Sequence, residues 1–150
     1  MKYAKYQQDL LKEMLSDKPI RGFIGHENEN VLVTMDGFLM VAIPDCLWCL
    51  DVQRTREKLK PFEGKLAYLY DEEGSKPANR TGLALVQEKK NLVQIKNEEA
   101  EAWVDEKLLR YFENPSFKIR SWMHAVGVYE GERFVGIVMP TRKKGEVQDV

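Results

Sequence analysis

The stretch RFVGIVMPTRKK, residues 133–144, is an apolar run that stops at Met139-Pro140 and turns at once into positive charge. Proline brings no N–H to a β-ladder and is confined to strand ends and edges, so the run reads as a buried strand over 133–139 closed by Pro140. An earlier run ends the same way: FLMVAI (38–43) is closed by Pro44. Each of these strands is the last of three. IRGFIG (20–25) and VLVTM (31–35), separated by the polar HENEN, lead into the first, across Asp36-Gly37, a strong signal for a two-residue hairpin turn. FKIRSW (117–122) and AVGVY (125–129) lead into the second, with Gly131 serving the last hairpin.

An amphipathic helix precedes each triplet. At the start of the chain Tyr3, Tyr6, Leu10, Leu11, Met14 and Leu15 recur at steps of three and four among charged residues, and Pro19 follows. The spacing predicts a second helix over 97–113. Asn97 caps it, Glu98, Glu99 and Glu101 crowd its first turn, and Ala100, Trp103, Val104, Leu108, Tyr111 and Phe112 form its stripe before Asn114-Pro115. The prolines keep the same interval in both halves, 44 − 19 = 25 and 140 − 115 = 25. Equal gaps, element order and periodicity together predict an internal duplication, with halves of about 1–44 and 97–140 in one domain over 1–142 and a flexible tail over 143–150. Neither stripe can be buried by its own helix. The expected fold is therefore α+β, with two helices packed on one face of a mostly antiparallel sheet.

The middle of the chain follows no such order. DCLWCLDVQRTREKLKPFEG (45–64) can hold a short helix around 51–59, KLAYLY (65–70) reads as a strand, and DEEGSKPANRTG (71–82) has the composition of a loop. LALVQ (83–87) and NLVQI (91–95) read as a hairpin around Glu88-Lys89-Lys90.

Composition excludes several classes. Lys plus Arg number 23 against 24 Asp plus Glu, so no global field draws the chain to nucleic acid or to an anionic membrane. There is no apolar run of about 18 residues. The charged, helix-spaced start is unlike a signal peptide, so a cytoplasmic protein is expected. Two thiols, Cys46 and Cys49, make no disulfide scaffold. As CLWC they have the spacing of a redox pair or half a zinc site, but zinc needs about four ligands, and His26 and His124 lie in different hairpins. Core packing beside Trp48 is the expectation for both, with no metal and no cofactor. His26 reads as a solvated turn residue. His124 has no serine or cysteine that the sequence can place as its nucleophile. No phosphate loop and no distinctive carboxylate pair occur, so a non-catalytic protein is expected. Two basic clusters, Arg54, Arg56, Lys58 (with Lys60) and Arg142, Lys143, Lys144, read equally as phosphate contacts and as solubilising surface.

The segment 91–142, with its strand, helix and three strands closing on Met139, Pro140, Thr141 and Arg142, resembles the last part of the bacterial DNA polymerase sliding clamp. A domain of that family is also a duplicated unit of a helix and strands. The resemblance implies a DNA-clamp-like fold and a processivity or replication accessory acting as an oligomer. It also implies a peptide-binding groove for a replication protein, formed partly by Ile137, Val138, Met139, Pro140 and Thr141. Where the family often carries a second methionine, this chain has Thr141. A ring would need several copies, since the chain has the length of one clamp domain. The acidic balance of the expected second helix would repel a duplex. The alternative implied is a monomeric or dimeric protein-interaction module that keeps the fold without encircling DNA.

Overall fold

The computed structural model describes residues 1–144. The first helix, α1 (Tyr3–Leu15), buries Tyr6, Gln7, Leu10 and Met14 on one face, whereas Leu11 and Leu15 remain exposed, so the stripe is narrower than the spacing suggests. Ser16 turns the chain out, its hydroxyl donating to the Glu13 carbonyl.

Three strands follow: β1 (Phe23–Glu27), β2 (Asn30–Thr34) and β3 (Leu39–Pro44). Asn28 and Glu29 both take positive φ in the first turn. The β2–β3 connection is longer than a two-residue turn, because the Asp36 carboxylate accepts from the Phe38 N–H and the Thr34 hydroxyl from the Gly37 N–H, bending 35–38 into a loop. A short helix, α2 (Val52–Lys58), capped by the Asp51 side chain, leads to β4 (Lys60–Pro61). The strand expected over 65–70 is instead a one-turn 3₁₀ helix, Leu66–Tyr68. Among the described residues no strand pairs with it; the Tyr68, Leu69 and Tyr70 amides donate to the Lys65 and Leu66 carbonyls, and the Leu66 amide donates to the Glu27 carboxylate. The expected loop over 71–82 is half strand: β5 runs Lys76–Gln87, bent where Gly82 adopts φ +90°.

The remaining elements are β6 (Lys90–Lys96), β7 (Glu101–Asp105), α3 (Glu106–Leu109), β8 (Ser116–Ile119), β9 (Val126–Glu130) and β10 (Arg133–Val138). They correct the second helix. Residues 101–105 are a strand paired with β6, and only one helical turn follows. The Asn97 side chain does cap, accepting from the Glu99 and Ala100 amides, but what it closes is the β6–β7 turn. Asp105 starts the single turn by accepting from the Lys107 amide. The helix-plus-three-strand unit therefore appears whole only at the N-terminus, and two helices on one face are not found among the described residues.

The ten strands form one sheet in the order β4-β1-β2-β3-β10-β9-β8-β5-β6-β7, antiparallel except for the short β1–β4 pair. Two three-stranded meanders, β1–β2–β3 and β8–β9–β10, meet along their proline-ended strands, with Val41 opposite Gly136 and Met40 opposite Ile137. Alternate residues explain why these strands are apolar throughout. Val41, Ile43, Val126, Val128, Val135 and Val138 point into a core that includes Tyr6, Leu10 and Met14 of α1. Their neighbours Met40, Ala42, Tyr129 and Ile137 point to the opposite face, where Tyr70 is buried with them and Phe62 and Leu66 pack on top. Both faces of the central sheet are covered, so neither can be polar. Gly127 makes the outer cover possible: a Cβ there would come within 2.2 Å of the Tyr70 hydroxyl oxygen. On the inner side Val93, Ile95, Ala102 and Val104 join the same core, so the sheet curls around α1.

Both sheet edges are blunted. β4 is two residues long and ends in proline. Beyond β10 the chain crosses to β7, where the Thr141 amide donates to the Trp103 carbonyl. Of the tail expected over 143–150, residues 145–150 lie outside the described residues. Lys143 sits over the Trp103 ring, and Lys144 is held by Gln87 and Glu88.

Candidate functional site

Strand alternation divides the five residues marked by the clamp resemblance. Val138 points inward and is fully buried. Ile137 and Met139 face outward, and the Met139 amide donates to the Phe38 carbonyl at 2.7 Å. That bond draws the β2–β3 loop against the end of β10. Between them lies an apolar groove of about 200 Å³, lined by Phe23, Thr34, Gly37, Phe38, Met40, Phe62, Leu69, Ile137 and Met139. Phe23, Phe38 and Leu69 are 40%, 45% and 41% exposed. Three large apolar side chains left open around one groove mark a contact surface better than a core defect. Pro140 is half-buried, and Thr141 turns away to a second cavity with Trp103, Trp122, Arg142 and Lys143.

Four groove residues, Phe23, Phe38, Phe62 and Leu69, carry no signal at the end of β10. Phe38 alone has a local one, an aromatic side chain at the tip of a turn. Phe62 arrives through its amide, which donates to the Ile24 carbonyl at 2.8 Å, and β1 accepts it because Gly25 has no Cβ to meet the Phe62 carbonyl.

The two basic clusters differ. Arg54, Arg56 and Lys58 project from α2 and are exposed. The C-terminal three are engaged within the chain. Arg142 lies over the Trp122 ring at 5.7 Å, Lys143 over Trp103 at 4.7 Å, and the Lys144 ammonium pairs with Glu88. Gln87 clamps the same segment, donating to the Arg142 carbonyl and accepting from the Lys144 amide. A phosphate at Arg142 or Lys143 would compete with a ring already in contact.

The cysteines correct the expectation of core packing: both are exposed and free. The reason is the turn after Pro44, which carries 45–50 out alongside α1 at Gln7. The buried Gln7 stitches that turn down, donating to the Leu47 carbonyl and accepting from the Cys49 amide. No cluster of three His, Cys, Asp or Glu able to hold a metal occurs among the described residues. His26 is exposed, with Nε2 2.8 Å from Asp45 Oδ1. His124 does have a serine beside it, Ser121 Oγ at 2.5 Å from Nδ1, brought there by the 121–124 turn. Among the described residues no carboxylate hydrogen-bonds to that ring, so the third member of a catalytic relay is missing from the pair.

On the outer face Tyr70 and Tyr129 share a hydrogen bond of 2.9 Å. Burial, reinforced by that bond and by Glu72, drives the Tyr129 hydroxyl far above the ordinary tyrosine range, so it stays protonated as a structural donor.

No helix among the described residues is long and apolar enough to cross a membrane. Comparison with protein-family models, with curated proteins and with solved structures finds no match.

Proposed function

We propose that this protein is a non-catalytic interaction module that takes an apolar peptide segment into the groove between Phe38 and Met139. The single observation carrying this reading is the groove itself, open, rimmed by Phe23, Phe38 and Leu69, and containing Ile137 and Met139. Its volume suits one or two large side chains, the scale on which a few buried apolar anchors dominate a peptide interface. The clamp resemblance supports the same end of the same strand, and the paired meanders meeting along β3 and β10 support a clamp-like ancestry.

Encirclement of DNA has less behind it. A lumen lined by helices needs a helix pair, and among the described residues α1 alone exceeds two turns. The acid-rich segment 97–113 is a strand and a single turn, so it sets no acidic helix against a duplex, and it supplies no basic surface either. The blunted sheet edges leave little backbone for ring assembly.

The test is fluorescence anisotropy with a labelled peptide carrying two adjacent large apolar residues in an otherwise polar background. Met139→Asp and Phe38→Asp should each weaken binding by about tenfold or more, in line with loss of a buried anchor. Peptide affinity indifferent to both substitutions would remove the groove from the function. Binding to duplex DNA that collapses steeply with added salt would restore the nucleic-acid reading.

A further inference from the structure

A third cavity, of about 580 Å³, lies at the other side of Phe62, under α2. Its walls are Ile24, Val31, Trp48, Val52, Leu59, Pro61 and Phe62, almost wholly apolar, and its polar groups are few: Arg56 and, at the mouth, the His26–Asp45 pair. Size and lining are those of a small-molecule site, apolar walls with a small number of polar groups to fix orientation.

Two further observations say what would fill it. Arg56 has no hydrogen bond or ion pair among the described residues, and the guanidinium therefore presents a full set of donors at the cavity. The nearby acid, Asp45, already holds His26 through both carboxylate oxygens, at 2.8 and 2.9 Å. The second observation is Trp48. Its indole N–H is buried and finds no acceptor, one of only two such side-chain atoms among the described residues. A buried donor without a partner is costly in a folded chain, and a small turn of the indole toward the cavity that Trp48 lines would let a ligand oxygen relieve it. Apolar walls, one uncommitted cation and one orphaned neutral donor together specify a monoanion with a hydrocarbon body. A phosphate monoester, which carries close to two negative charges, would leave charge that one arginine cannot match.

We propose that this cavity binds a small amphipathic carboxylic acid, its hydrocarbon chain among Ile24, Val31, Leu59 and Phe62 and its carboxylate on Arg56. The site shares only Phe62 with the peptide groove, and its fate does not depend on that reading.

Octanoate is the probe, added to the whole chain and followed by calorimetry and by the Trp48 indole resonance in ¹H–¹⁵N spectra. Saturable binding that shifts the Trp48 signal is expected. Arg56→Gln, an exposed substitution on a surface helix, should weaken octanoate by about tenfold or more, the worth of a charge-assisted hydrogen bond, while leaving octan-1-ol unchanged. From hexanoate to decanoate, each added methylene should tighten binding about fourfold. Trp48→Phe, which keeps an aromatic wall and removes the donor, should weaken octanoate severalfold. Absence of saturable binding overturns the proposal, as does octanoate affinity indifferent to Arg56. Shifts confined to Phe38 and Met139 would assign the acid to the peptide groove and overturn it equally.

Discussion

Residues 3–15 and 97–113 have the same apolar spacing and opposite outcomes. Both put large side chains at steps of three and four, and both carry charges between them. The first is a helix because it has no strand to pair with and a concave sheet to fill: Tyr6 donates to the Val33 carbonyl across the core, and Leu10 and Met14 are enclosed. The second contains Ala102, Trp103 and Val104 in succession, all buried, which a helix on a sheet cannot achieve with one stripe. Beside β6 those residues are buried on both sides of a strand, and β6 gains a partner. Periodicity alone cannot separate the two cases. The available neighbour decides.

The comparison breaks most easily at the two fully buried positions. Leu10→Ala, which hollows the helix side of the core, should cost about 2–5 kcal/mol, and Val104→Ala, on β7, about 2 kcal/mol, read from urea unfolding midpoints. Equal and small losses at both would mean that neither segment is anchored as described. Asn97→Ala sharpens the contrast at the turn. It removes two side-chain caps and should cost about 1 kcal/mol. Amide-exchange protection should fall in β6 and β7 and stay unchanged in α1. Absence of cross-strand NMR contacts between Gln94 and Trp103 would dissolve the strand reading outright.

The smallest effect tests the joint between the two regions. Asp9 of α1 accepts from the Tyr111 hydroxyl at 2.5 Å and from Lys5 at 3.0 Å, with Arg110 at 3.6 Å. Burial pushes its carboxyl up, but the Tyr111 and Lys5 bonds and the neighbouring cations outweigh it, and its pKa lies below the ordinary aspartate value. A lowered folded-state pKa stabilises above the unfolded value and ceases to do so as pH falls through the folded one. The unfolding midpoint of the wild type should therefore drop more than that of Asp9→Asn between roughly pH 5 and pH 3, by a few tenths of a kcal/mol. Parallel curves would mean that the joint contributes nothing.

What was legible in the sequence was what local chemistry controls. Pro44 and Pro140 close strands, Glu88-Lys89 turns a hairpin with both residues at positive φ, Gly131 turns another, and Asp51 starts a short helix. What was illegible depends on partners distant in the chain. KLAYLY has strand composition but lies over the outer face, and among the described residues no strand pairs with it. Cys46 and Cys49 have buried-residue chemistry but ride a turn that Gln7 fastens from 40 residues away. The groove was half legible for the same reason. Ile137 and Met139 lie at the end of a strand whose alternation can be read, whereas Phe62 and Leu69 come from a segment without periodicity.

The seam between β3 and β10 has a consequence for the order of events during synthesis. Val41 pairs with Gly136, 95 positions later (136 − 41). After Pro44 leaves the ribosome, 88 residues (132 − 44) must still be made before β10 begins. Through that interval α1 and the first meander carry an unpaired apolar edge, and contacts of such long range form slowly. The nascent chain is thus most exposed to misassociation while the residues between β3 and β10 are being made. A chaperone's opportunity, and an aggregation hazard, both open with β3 and close with β10.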